Sequence, residues 1–165
     1  MLTLTAKSWQ VFLIMMVAVL LMNFSIRDMP LATDILFVLG AVIYYGWFAV
    51  IGNTLADWLP RGADYSRTWF LLDAFLVLAA LCLTGVMFES RSYTATGVAA
   101  LPGFYLLFAF FHVFWFPAVV LVAIEKQRRP EFGFYFGTFL LMLFWPIGLW
   151  FVQPRLNRIA AERFA

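Results

Sequence analysis

Along the chain, long stretches without a charged residue alternate with short polar joints. Five such windows run from Ser8 to Ile26, Ile35 to Ala56, Ala74 to Phe88, Ser92 to Ile124 and Phe132 to Pro154. A helix needs about 20 mostly apolar residues to cross a bilayer, and that length sorts the windows. The first fits directly, as does the second, which closes at Asp57 with the helix breakers Pro60 and Gly62 beyond. The third reaches full length when it begins near Thr68 and takes in Asp73 as its only charge. The fourth is too long for one span. Pro102 suits the first position of a helix running to about Ile124, which leaves Ser92 to Leu101 as a joint near the surface. The fifth runs to about Val152 and carries Pro146 and Gly148 near its end. The pattern predicts an all-α, polytopic transmembrane bundle with spans near 8–27, 34–58, 68–89, 102–125 and 132–152. Short joints predict neighbouring antiparallel helices in up-down order, and residues 1–165 form one domain. No small-x-small cleavage site follows Phe24, so the first span is expected to be uncleaved.

Composition agrees with the pattern. Of the 165 residues, 65% are hydrophobic and 12% charged, and a water-soluble domain carries roughly twice that charge fraction. So few charges cannot cover a small globule without leaving large apolar patches. A net charge of +2 offers no surface for nucleic acid. The single cysteine, Cys82, and the single histidine, His112, exclude an internal disulfide, a CxxC pair, a bis-His haem site within one chain and an HExxH zinc site. No Gly-rich phosphate loop is present. These absences predict a non-enzymatic protein with no catalytic residue, no metal and no cofactor, and with the lipid bilayer as its first partner.

Orientation follows Lys and Arg in the joints. If all five windows span, Lys7, Arg61, Arg67, Lys126, Arg128 and Arg129 share the N-terminal side, against Arg27, Arg91, Arg155, Arg158 and Arg163 on the other. If the last segment turns back at Pro146 to Gly148, the tally becomes nine against two. A return leg of about ten residues does not fit between Leu149 and Pro154, so geometry favours a true fifth span with the termini on opposite faces. The helix is expected to end or kink at Pro146 to Gly148. After Pro154, Leu156, Ile159, Ala160 and Phe164 fall on one face of a short interfacial helix, with Trp145, Trp150, Arg155 and Arg158 at the headgroup boundary.

Asp73 is the sharpest candidate for chemistry, because about six residues of helix place it roughly 9 Å below the Arg67 level. Asp is too short to reach water from there, so a polar partner or a wet cavity is expected. Gln10, Asn53, Asp57 and Lys126 are the candidates to join it, either as a proton or ion site or around a carboxylate on the favourable end of a helix dipole. His112 lies roughly 18 Å from the face at which Glu125 sits, much deeper than Asp73, so the two are not expected to touch. It reads as a neutral imidazole bonded to a neighbouring helix, or, in an oligomer, as a cofactor ligand. The aromatic run from Phe104 and Tyr105 through Phe108, Phe110, Phe111, Phe114, Trp115 and Phe116 offers a flat surface for a quinone, pigment or sterol, or rings that face lipid and interlock with other helices. Gly133 with Gly137, and Gly52 with Ala56, permit close helix approach.

Three short strings carry a resemblance. Lys7, Ser8, Trp9, Gln10, Phe12 and Leu13 form the first, and Gly46, Trp47 and Phe48 with Leu59 and Pro60 the second. The third is Pro146-x-Gly148-x-Trp150-x-x-Gln153-Pro154-Arg155-x-Asn157. Together they resemble a family of small bacterial multi-span membrane proteins of unknown function, which implies a bacterial inner membrane and no particular mechanism. The expected role is that of an accessory or assembly subunit acting through helix contacts with other membrane subunits or with itself. A small transporter or homo-oligomeric pore lined around Asp73 is the alternative, and a membrane enzyme or electron-transfer subunit a weaker one.

Overall fold

A computed structural model describes residues 2–87, 94 and 96–164; the end of the expected third span at residues 88–89, Arg91 and the side chain of Phe164 lie outside the described part. The chain is 83% helix, and the described residues contain no strand. Its helices are α1 (Leu2–Thr5), α2 (Ser8–Asn23), α3 (Pro30–Ala56), α4 (Arg67–Met87), α5 (Leu101–Lys126), α6 (Phe132–Leu143) and α7 (Trp145–Phe164), with a 3-10 turn at Gly97–Ala100 before α5. From α2 onward each helix packs on the next, and α3 also packs on α5. With no water in lipid to satisfy free backbone groups, an all-helical chain is what such a composition requires.

Local chemistry sets several ends. The Gln10 side chain accepts a hydrogen bond from the Lys7 amide at 2.9 Å, occupying an otherwise free donor at the start of α2. Pro30 opens α3, where its missing N–H costs nothing. Thr33 holds the preceding turn by accepting from the Ile26 amide at 3.0 Å. At the far end of α5, Gln127 takes a left-handed conformation (φ 53°) that stops the helix.

Three helical stretches, Pro30–Ala56, Arg67–Met87 and Gly97–Lys126, are long and apolar enough to cross a membrane; Ser8–Asn23 and Phe132–Leu143 are apolar but shorter. Outward faces carry large apolar side chains such as Leu13, Ile14 and Leu20 on α2, Phe75 on α4, and Phe104 and Phe108 on α5. Inside, Phe48 meets Phe114 edge-on at 4.7 Å and Phe70 stacks on Phe116 at 4.2 Å. Phe70 needs the space left by Gly52, where a Cβ would come within 2.5 Å of its ring.

The fifth segment departs from expectation. It is not one span over 132–152 but two helices, broken at Phe144, which leaves the helical region (φ −95°, ψ 57°). Pro146 sits in the first turn of α7 and Gly148 lets the hairpin close, because a Cβ there would collide with the Leu141 backbone. The return leg is not confined to Leu149–Pro154, since α7 runs through Pro154 to Phe164. Its 20 residues, about 30 Å of helix, carry the C-terminal end back to the N-terminal end. There Gln153 and Asn157 donate to the Ala6 carbonyl at 3.1 and 3.2 Å. The termini therefore lie at the same end of the bundle.

The residues expected at a headgroup boundary have other work. Arg155 donates from Nε and Nη2 to the two carboxylate oxygens of Glu125 (2.8 and 2.5 Å) and from Nη1 to Thr138 at 2.9 Å, so one guanidinium ties α7 to α5 and α6. Arg158 reaches Glu125 at 3.2 Å and is itself mostly exposed. Trp145 packs among Phe12 of α2 and Tyr44 of α3, and Trp150 lies half-exposed beside Phe12. Leu156, Ile159 and Ala160 do share an apolar face, but it is buried in the bundle core.

Two substitutions test this hairpin. Gly148→Ala should lower the unfolding midpoint in detergent by an amount equivalent to about 1–3 kcal/mol of overpacking, whereas Gly133→Ala, whose Cβ would meet nothing among the described residues, should leave it unchanged. Glu125→Gln should cost roughly 2–4 kcal/mol, at or just below the usual cost of breaking a buried pair because this one keeps partial access to solvent. A midpoint unmoved in both variants would show that the hairpin is not held as described.

Candidate intramembrane polar site

Asp73 is 2% exposed and is hydrogen-bonded to two residues of α5. Tyr105 donates its hydroxyl to Oδ1 at 2.6 Å, and His112 Nδ1 lies 2.5 Å from Oδ2. Burial of the carboxylate and a partner from the fourth predicted span agree with expectation. The identity of the partners does not. Gln10 caps α2, Asp57 pairs with Arg67 at 2.5 Å, and Lys126 sits 4.9 Å over the ring of Phe134. Asn53 Oδ1 is buried without a hydrogen bond among the described residues, and it does not reach Asp73. The expected cluster of Gln10, Asn53, Asp57, Asp73 and Lys126 is not assembled.

Asp73 and His112 meet because helix starts are not levels. Phe70, three residues into α4, stacks on Phe116, ten residues short of the α5 end. The last turns of α5 thus overhang the start of α4 by about seven residues, roughly 10 Å. That offset cancels the apparent difference in depth. Tyr105 and His112 are seven positions apart, two helical turns, and so lie on one face of α5. This spacing is visible in the sequence and could have singled out Tyr105; nothing in the sequence says which neighbour it faces.

The imidazole sits in an aromatic box. Phe108 stacks on it at 5.7 Å (26°), Trp115 lies tilted at 5.4 Å, and Phe70 and Phe116 meet it edge-on at 6.3 and 6.0 Å. Its ring also forms part of the wall of a groove of about 340 Å³ between α5 and α6, otherwise lined by Phe108, Phe111, Trp115 and Phe139. His112 is the one titratable residue in that wall, and Trp115 adds an indole N–H. Nδ1 is taken by Asp73, and His112 makes no further hydrogen bond among the described residues.

No Lys or Arg contacts Asp73 among the described residues, so the hydrogen-bond partners of the carboxyl group come from within the triad. The Nδ1···Oδ2 contact of 2.5 Å is a hydrogen bond in which either atom can be the donor, according to the tautomer. No group of three or more His, Cys, Asp or Glu side chains placed to hold a metal occurs among the described residues. Comparison with family models, with curated proteins and with solved structures finds no match.

Asn in place of Asp73 can accept from Tyr105 with its oxygen and donate to His112 with its nitrogen. Asp73→Asn should therefore unfold within a few degrees of the parent. Asp73→Ala leaves both partners unsatisfied, and at about 1–3 kcal/mol for each such group its midpoint in detergent should fall well below that of the Asn variant. Equal loss in the two variants would remove hydrogen bonding as the reason for the triad.

Proposed function

We propose that this chain is a multi-pass protein of a bacterial inner membrane, with both termini in the cytoplasm, that binds a lipid-soluble small molecule in the α5–α6 groove and works without catalysis as an accessory subunit. The observation that carries the reading is the placement of His112. A polar side chain held by a buried carboxylate stands in the wall of an otherwise apolar, aromatic groove on the outside of the bundle. Small-molecule sites are mostly apolar with a few well-placed polar groups, and this groove has that character.

The returning hairpin supports the orientation. Lys7, Arg61, Arg67, Lys126, Arg128, Arg129, Arg155, Arg158 and Arg163 gather toward one end, and only Arg27 and Arg91 belong by sequence to the joints at the other, nine against two. Such an excess marks the cytoplasmic side. A pore lined around Asp73 loses its support, because Gln10, Asp57 and Lys126 bind elsewhere and Asp73 is enclosed by α4 and α5. Contact with a further membrane subunit is favoured separately by α6. A Cβ at Gly133 or Gly137 would meet nothing among the described residues, while Phe132, Phe134 and Phe136 beside them are exposed.

Two measurements test the proposal. In a Cys82→Ala background, Lys7→Cys and Glu162→Cys should both react with an impermeant thiol reagent from the cytoplasmic side of sealed vesicles; reaction from opposite sides would overturn the orientation. A photoactivated apolar probe in the bilayer should label Phe108, Phe111, Trp115 and Phe139 saturably and well above Leu13, Ile14 and Leu20 on α2. Uniform labelling of both faces would reduce the groove to ordinary lipid contact.

A further inference from the structure

We propose that the α5–α6 groove takes a flat ring bearing a carbonyl oxygen, a molecule of the quinone class, with His112 Nε2–H donating to that oxygen. This rests on the ligand-binding reading above and adds the chemistry of the ligand.

The inference begins with proton counting. The groups that face the imidazole from the elements around it are Asp73 of α4 and, through that carboxylate, Tyr105 of α5; the remaining ring contacts are Phe70, Phe108, Trp115 and Phe116. In apolar surroundings without a neighbouring cation, a net charge of −1 on the Asp73–His112 pair is the costly state. Two arrangements bring the pair to zero. Either the carboxylate is ionised and the imidazole carries protons on both nitrogens, or the carboxylic acid donates to Nδ1 and the imidazole proton sits on Nε2. In both arrangements Nε2 is a hydrogen-bond donor. Only the arrangement of net charge −1, an ionised carboxylate beside a neutral imidazole protonated on Nδ1, leaves it an acceptor. The groove wall therefore holds two side chains that can donate, His112 through Nε2–H and Trp115 through its indole N–H, and no side chain that can accept, and a donor in such apolar surroundings gains from any acceptor brought to it. A ligand that fits must bring an acceptor oxygen.

The other walls specify the remainder. Phe108, Phe111, Trp115 and Phe139 present ring faces and edges, which favour a flat unsaturated ring over a branched chain. About 340 Å³ is near the lower end of small-molecule sites, room for one substituted ring and too little for a macrocycle such as haem. The open side of the groove faces where the tail of such a molecule would already lie, since Phe108 and Phe111 are themselves exposed on the outer surface of α5. An ester carbonyl of a phospholipid offers the same acceptor chemistry without the ring, so the test separates the two sources.

One property of the chain makes the test direct. His112 is the only histidine, so histidine labelled with nitrogen-15 reports this ring alone once any affinity tag is removed. In nanodiscs without added ligand, Nε2 should give the signal of a protonated nitrogen. Addition of a benzoquinone with a ten-carbon tail should shift that signal saturably; a tail-matched alkylbenzene, which lacks the oxygens, should not. His112→Phe should weaken retention of the quinone about tenfold or more, the loss of one hydrogen bond to a charged or polarised donor, and His112→Gln, which keeps a donor, should restore part of it. An unprotonated Nε2 would overturn the donor assignment. Equal retention of the quinone and the alkylbenzene would overturn the ligand class and leave the groove reading standing. If diacyl phospholipid alone shifts the signal and the quinone adds nothing, the ester is the natural acceptor and the ring is excluded. Retention of neither probe, with labelling of the groove no greater than of α2, would remove both readings. Should His112→Phe fail to fold, the nitrogen signal and the probe comparison on the unaltered chain decide alone.

Discussion

The pairing of Arg155 with Glu125 decides where the last fifth of this chain lies. A carboxylate at the end of α5 and a guanidinium in the middle of α7 are each too costly to leave alone in a largely apolar bundle, and each is satisfied by the other in a two-pronged bond, with Thr138 of α6 taking a further donor. Once that bond is made, α7 must run beside α5 and α6. The short α6 then becomes one leg of a hairpin, and the C-terminal end meets the N-terminal segment through Gln153, Asn157 and the Ala6 carbonyl. The string of residues from Pro146 to Asn157 thus reads as one device: Pro146 and Gly148 make the turn, Gln153 and Asn157 seize the N-terminal segment, and Arg155 locks the return.

This arrangement has a consequence for the groove. α6 packs on α5, and Phe139 of α6 closes one side of the space in which His112 stands. The hairpin therefore builds the wall of the candidate site although it supplies none of the triad. Asp73, Tyr105 and His112 come from α4 and α5, whose relative height is fixed by the stacking of Phe70 on Phe116 and by the space at Gly52 that admits the Phe70 ring. A polar site inside an apolar bundle is held in place here by aromatic packing above and below it.

Charge enters the bundle in two ways that differ in kind. The Arg155–Glu125 pair is a full ion pair near one end, where partial access to solvent softens its cost. The Asp73 site has no cation from Lys or Arg among the described residues and is answered by an imidazole and a phenol, groups that share a proton instead of bringing a fixed charge. The first arrangement suits a structural clamp. The second suits a place where a hydrogen bond to something outside the chain can be offered or withdrawn.

The sequence by itself determined the helical class, the apolar windows and, to within a residue, the starts of α2, α4, α5 and α6, because hydrophobic length, proline at a first turn and the absence of water in lipid act locally. It also marked Asp73 as a carboxylate in need of a partner. It did not determine that partner. Residues 73 and 112 are joined by an offset of α5 relative to α4, and an offset is set by how rings interlock, which no periodicity records. The turn at Phe144 was half legible: Pro146 and Gly148 announced a break, but whether the chain continued outward or came back depended on Glu125 and Arg155, 30 residues apart, finding each other. The charge tally could be read from the sequence as six against five or as nine against two, since the sum over joints changes with the path of the last segment, and that path is fixed by a contact between distant side chains.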